Sequence, residues 1–367
     1  MRSLKSFCLF FTIQIGVYAS VQTMSPSPLF QGHQTIDIRL EAPFEHLWRL
    51  IGDVAYDSEA IKKIFVAGKL SIKDRFKKEQ SFNLMLRARG ESSPNREYEC
   101  TFPKLKLKFE SVKETLFDHA KTVNLATHCG ELEEGAYTQF GRAAHEEGTK
   151  REYFYYDFLD RMGHVVPKVR LARITYVDVD TGAELLRYGF FLEDFDYLAK
   201  RMDAELLDFK AKEERLLALK NRQFGAKDIE NVSPLDLARF YMSENMAINN
   251  DWGYESHHNV AILRKKDSSE IPIAYDFDLA EIANAPLPMP EHSASEIDPH
   301  YFDTLNFQLD DLRRTLDLDS FLSIEKRFLQ IYNEQVKIID DSDMSTFSKR
   351  HVKGFMKNIK MSLASPE

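Results

Sequence analysis

Apolar and polar positions alternate with a period of two along the first third of the chain. Residues 35–40 read as a strand in this way, and residues 82–88 do so in part. Residues 105–109 alternate strictly: Leu105, Leu107 and Phe109 fall on one side, Lys106 and Lys108 on the other. Residues 123–126 are a further strand, and a helix is expected near residues 44–50. This part therefore predicts a mainly antiparallel sheet. Residues 133–150, rich in Gly and Glu, read as a loop. A helix over 153–162 is stopped by Gly163 and followed by Pro167. Strands over 169–177 and 187–191 come next, then a charged helix over 204–222 and a linker over 223–231. Ser233-Pro234-Leu235-Asp236 marks a helix start. The serine caps free amides, proline suits the first turn and aspartate complements the dipole. That helix should run to about Ile248. Three prolines at 286, 288 and 290 mark a loop. Beyond it, Phe302, Leu305, Leu309, Leu312 and Leu316 share a helical face, and Phe321, Ile324, Phe328 and Ile331 keep the same spacing. The pattern predicts an α+β chain with a β-rich first lobe over 34–192 and a mainly helical second lobe over 193–367. A cleft between two such lobes is a usual place for a ligand.

The start of the chain reads differently. Arg2 and Lys5 precede an apolar run over 6–19, and Val17-Tyr18-Ala19 supplies small residues around a cleavage point after Ala19. This is the layout of a secretory signal peptide over 1–19, with a linker over 20–33. The apolar run is short for a membrane span, and no other stretch is long enough, so no integral span is expected after cleavage. A periplasmic or secreted location follows. Losing Arg2 and Lys5 takes the net charge from −9 to −11. An acidic balance without clustered Lys or Arg argues against general nucleic-acid binding. With 43% hydrophobic and 29% charged residues among 367, disordered and collagen-like classes are excluded. Cys100 and Cys129 remain after cleavage, either as one disulfide or as two buried thiols.

Most of the candidate chemistry lies between residues 249 and 278. A capped helix ends at a polar turn holding Asp251. Eight residues later Asn259 opens the apolar strand Val260-Ala261-Ile262-Leu263. A polar turn over 265–270 leads into a second apolar strand, which ends at Asp276-Phe277-Asp278. A hairpin returns the chain, so Asn259 and Asp276 start and finish side by side, with Asp251 just before them. Phosphoryl transfer needs this set. One Asp orients the nucleophile's proton, while an Asn and a second Asp supply hard oxygens for Mg²⁺. Protein kinases place an Asp, an Asn, a hairpin and an Asp-Phe-Gly motif in the same order. Other chemistries lack their signatures: there is no Gly-x-x-x-x-Gly-Lys-Ser/Thr loop, no Gly-x-Ser-x-Gly elbow and no His-Glu-x-x-His helix, and the adjacent His257 and His258 point apart.

Asp251, His258-Asn259 and Tyr275-Asp276-Phe277-Asp278 resemble the pattern of the spore-coat protein H (CotH) kinase family. Here Ala274-Tyr275 stands where that family carries a proline. The chain is more closely similar to a group of exported proteobacterial proteins related to that family. That likeness rests on Arg89-Gly90, residues 100–107, Thr127-His128-Cys129, residues 170–176 and residues 283–286. It covers roughly residues 34–290. The resemblance implies a two-lobed atypical protein-kinase-like fold, ATP, Mg²⁺ or Mn²⁺, and transfer to Ser/Thr of a protein acceptor. Carried over, Asp251 is the catalytic Asp, and Asn259 and Asp276 are metal ligands. The nucleotide-anchoring lysine would be Lys106 or Lys108, sharing a face with Lys104, and Glu152 is a candidate partner for it. Arg89, in Arg89-Gly90-Glu91-Ser92-Ser93, is the nearest substitute for the absent Gly-x-Gly-x-x-Gly loop. Glu193 or Asp194, after the buried strand over 188–192, stands where a kinase hinge would hold adenine. The rival reading from another class is a non-catalytic envelope or surface module that recognises a protein or polysaccharide. The missing phosphate loop points to it.

Overall fold

The computed structural model describes residues 25–54, 57–73, 79–90, 94–97, 99–134, 136–139, 141–207, 231–253, 258–284 and 299–364. The expected leader over 1–19, most of the 204–222 segment, all but the last residue of the 223–231 linker, residues 91–93, His257 and the three prolines lie outside them. In the N-terminal part run β1 (Ile36–Ala42), α1 (Phe44–Asp53), α2 (Ser58–Ile61), β2 (Val66–Lys73), β3 (Glu79–Ala88), β4 (Leu105–Phe109), β5 (Thr122–Ala126), α3 (Glu146–Met162), β6 (Val169–Asp178) and β7 (Glu184–Glu193). There follow α4 (Phe195–Arg201), β8 (Ala204–Leu206), α5 (Pro234–Met246), β9 (Val260–Lys265), β10 (Glu270–Ala274), α6 (Pro299–Thr315), α7 (Leu318–Asp341) and α8 (Thr346–Ala364). The chain is thus mixed α and β, sheet-rich first and helical last.

The seven strands β1–β7 close into a barrel in the order β1-β2-β3-β4-β5-β7-β6. All pairings are antiparallel except the seam, where β1 runs parallel to β6 from Ile36–Ala172 to Ala42–Asp178. Alternation sets what is inside. Leu105, Leu107 and Phe109 enter the barrel core with Phe82, Phe117 and Phe191, while Lys106 and Lys108 stay outside. The Phe82, Phe109 and Phe117 rings meet at 4.5–6.0 Å between centroids. Each such side chain contributes about 1.5–3 kcal/mol by leaving water. A second core lies outside the barrel, where α3, α5, α6, α7 and α8 pack against Phe190 and Leu192 of β7. The hairpin β9–β10, extended by β8, forms a separate three-stranded sheet.

Several elements differ from the pattern reading, which expects neither α2 nor α4. β2 was hidden by Gly68, which the fold needs: a Cβ there would stand 2.9 Å from the Glu41 carbonyl oxygen and from Leu86. α3 begins seven residues earlier than expected, because the His145 ring caps it by accepting from the Glu147 amide. The expected helix from 204 instead begins with β8, which pairs with β9. Cys100 and Cys129 form a disulfide. No helix among the described residues is long and apolar enough to cross a membrane.

Candidate functional site

The β9–β10 hairpin sets the geometry. Ala274 pairs with Val260, and the Tyr275 amide donates to the Asn259 carbonyl at 3.3 Å. Asn259 and Asp276 are therefore neighbours at one end of the hairpin. Both hold left-handed backbone, with φ of 53° and 65°. Asn and Asp tolerate that region better than other side chains that carry a Cβ. Asn259 turns its amide nitrogen to Asp251, donating to its backbone oxygen at 2.6 Å and its carboxylate at 3.1 Å. His258 lies 2.9 Å from the other Asp251 oxygen.

Asp251 is held from behind by a buried relay. Its amide donates to Asn249 Oδ1 at 3.1 Å, and Asn249 Nδ2 donates to Glu244 Oε2 at 2.7 Å. Glu244 is fully buried at the end of α5. Burial pushes its carboxyl well above the usual range; the Asn249 hydrogen bond opposes this and the Asp251 charge adds to it.

Asp276 is gripped by three other parts of the chain. Its amide donates to the Tyr156 hydroxyl of α3 at 2.7 Å. The next residue, Phe277, packs edge-on against Tyr155 and Tyr156 at 4.9 and 5.2 Å. Lys104, just before β4, places its ammonium 2.5 Å from Asp276 Oδ1 and 2.6 Å from Asp278 Oδ2. The Arg142 guanidinium contacts Asp278 and also Glu99, the latter at 3.1 Å. Asn284 ties this loop down, accepting from the Ala143 amide and donating to the Gly141 carbonyl, both at 2.7 Å. Burial opposes charge on Asp276. The cations Lys104, Arg89 and Arg142, with the Lys104 hydrogen bond, outweigh it and hold the carboxyl below the usual carboxylate range. Glu152, buried on the same face of α3 as Tyr156, is shifted the other way. Burial raises it, Lys104 lowers it and the Asp276 charge raises it.

The structure thus brings Asp251, Asn259 and Asp276 to one end of the hairpin, with the Arg89 cation and the buried Glu152 carboxyl near enough to interact with Asp276. It places the two favoured lysines elsewhere. Lys106 bridges Asp194 at 2.8 Å, and Lys108 is exposed on the barrel wall. The side chain at Asp276 is Lys104, on the same outward face but nearer the hairpin. Glu193 is also occupied: it is bridged by Arg201 at 2.9 Å and accepts from the Lys168 amide at 3.1 Å. No sequence pattern marks Arg142, Tyr156 or Glu244 for the site, and Asn249 is marked only by its place at the start of the 249–278 stretch. Asp278 closes the Asp276-Phe277-Asp278 motif, and no local pattern pairs it with the lysine.

The donor set fits a cation that arrives with a phosphate. Asp276 offers an ionised carboxylate whose side chain is 30% exposed. Asn259, its nitrogen committed to Asp251, offers a carbonyl oxygen. Among the described residues no group of three or more His, Cys, Asp or Glu side chains could hold a metal alone. Mg²⁺ commonly takes one or two protein oxygens and completes its shell with phosphate and water.

No family model and no curated protein matches the chain. Among solved structures, the chain is similar to the proinflammatory kinase CtkA of Helicobacter pylori, at 14% identity and a TM-score of 0.37. The match covers 71% of this chain and 88% of that one.

Proposed function

We propose that this chain is a kinase-like phosphotransferase that takes ATP with Mg²⁺ or Mn²⁺ and acts on a Ser/Thr hydroxyl of a protein. The observation that carries this reading is the Lys104–Asp276 ion pair beside Asn259, with Asp251 in direct contact with that amide. One cation, one ionised carboxylate, one amide oxygen and a second carboxylate then stand in the order that phosphoryl transfer uses. On this reading the barrel-bearing part is the first lobe and the helical part the second. Lys104 steadies the phosphates, and Asp276 and Asn259 would hold the divalent ion, which supplies charge neutralisation on the transferring group. Asp251 orients the acceptor hydroxyl and takes up its proton, held in place by the Asn249–Glu244 relay. Positioning and fixed charge do most of the work, since the loose transition state asks for little covalent chemistry.

One observation favours a second reading, a module of this fold that recognises a protein or polysaccharide without catalysis. The Lys104 ammonium lies against both Asp276 and Asp278, where a metal would need to approach. The protein would then hold its own cation in that place.

A thermal shift separates the two. A ligand that binds only the folded state stabilises it by RT ln(1+[L]/Kd), about 2.7 kcal/mol at a hundredfold excess over Kd. ATP with Mg²⁺ or Mn²⁺ should raise the melting temperature, each alone should do less, and Asp276→Ala should lose the shift. An unchanged melting temperature with every nucleotide and metal tried would sink the phosphotransferase reading.

A further inference from the structure

A concavity lies against the side of α3 that carries Tyr153, Phe154, Asp157 and Arg161. It measures about 380 Å³ and is bounded by the chain before β1, by α3, by β6 and by the turn between α7 and α8. That volume lies within the range of about 300–1,000 Å³ usual for small-molecule sites. Phe154, Leu171 and Met344, all buried, lie among its apolar lining, and the ring of Tyr153 adds to them. The polar lining is sharply divided. Its cations are already engaged: Lys150 sits 2.7 Å from Glu147 and donates to the Asp343 backbone oxygen at 3.0 Å. Arg161 is bridged to Asp157 at 2.7 Å and to Glu334 at 3.2 Å, and His33 lies 3.0 Å from Asp157. Two lining carboxylates are not engaged in this way. Asp341 and Asp343 are exposed at the end of α7 and in the turn after it. Among the described residues no cation reaches either carboxylate within ion-pair distance, and Asp343 takes only a 3.4 Å contact from the Thr35 hydroxyl.

We propose that this cavity binds a small organic cation, a protonated primary amine carried on an apolar or aromatic body. The body would lie on Phe154, Leu171 and Met344 and beside the Tyr153 ring, which also offers a π-face to the cation. The ammonium would meet Asp341 and Asp343, which accept hydrogen bonds and donate none. An anion would face two unneutralised carboxylates and find the lining cations taken. This inference goes beyond the phosphotransferase reading and needs neither nucleotide nor metal.

Isothermal titration of the purified protein with 2-phenylethylamine tests it, beside phenylacetate and 2-phenylethanol as anionic and neutral isosteres. The amine should bind, and both isosteres should bind at least tenfold more weakly. Asp341→Asn/Asp343→Asn should weaken the amine at least tenfold. Both positions are exposed, so the variant should keep the parent melting temperature, which shows that it folds; Asp343→Asn alone serves if it does not. Isosteres that match the amine, amine binding untouched by the substitutions, or no binding at millimolar amine would each overturn the proposal.

Discussion

The Lys104 ammonium sits between two carboxylates, and removing it leaves Asp276 and Asp278 with less cation than charge. Breaking a buried pair from one side typically costs about 3–5 kcal/mol, and the partial exposure of Asp276 reduces that to about 1–3 kcal/mol here. Lys104→Met should therefore lower the urea midpoint clearly. Lys108→Met, on the exposed wall, should stay within about 0.5 kcal/mol of the parent. Equal midpoints for the two variants would mean that Lys104 is not an anchor of the site. Glu244 makes a prediction of a different kind. Its folded carboxyl is raised, so the folded state holds the proton more tightly than the unfolded one. That contribution to stability is fully present below the unfolded value near 4.5 and is lost as pH rises toward the folded value. Glu244→Gln keeps the shape and removes the charge. Melts at about pH 5 and about pH 8 should show the variant gaining on the parent at the higher pH. Glu152 carries the same sign, so the slope should flatten without vanishing.

The disulfide belongs to the scale of elements. It joins the segment leading into β4, which carries Lys104, to the segment leaving β5, across 29 residues. Closing a loop of that length constrains the unfolded chain by about 3–4 kcal/mol in the chain-entropy account. Phe102 and Cys129 also form a backbone bridge at 2.9 Å, and the Thr127 hydroxyl donates to the Phe102 carbonyl at 2.8 Å. Cys100→Ser/Cys129→Ser should accordingly fold, with its denaturation free energy lower by about that amount. A midpoint equal to the parent's would show that the bridge adds nothing to stability. The same elements show what a sequence can reveal. The start of α5 was legible because capping is local: Ser233 Oγ accepts from the Asp236 amide at 3.1 Å. The β9–β10 hairpin was legible because two apolar runs flank a polar turn. β2 was not, because Gly68 serves a close approach to β1 that only the sheet defines. The true start of α3 was masked by Gly148. Alternation put Lys104, Lys106 and Lys108 on one face. It could not say which of them meets Asp276, since that depends on where the barrel wall crosses the hairpin. Arg142 and Tyr156 reach the site from distant loop and helix positions, and no local pattern marks them.

At the scale of the whole molecule, the barrel and the helical part share a wall. β7 sends Phe191 into the barrel, 5.7 Å from the Phe117 ring, and Phe190 outward, 5.9 Å from the Tyr156 ring of α3. Neither core keeps its packing if that strand leaves, so the two should unfold together although the chain is longer than most two-state domains. The protein contains two tryptophans, one for each core. Trp48 is buried in the barrel among Phe44 and Phe102, and Trp252 packs on Phe240 in the helical part. Trp48→Phe and Trp252→Phe give two single-tryptophan proteins, each reporting one core by fluorescence while circular dichroism reports the backbone of both. In each variant the fluorescence and dichroism midpoints in urea should coincide. An earlier midpoint for Trp48 than for the backbone would mean that the barrel opens alone. Lys104 would then leave Asp276 before the hairpin melts, and the site would be a contact between two separable parts.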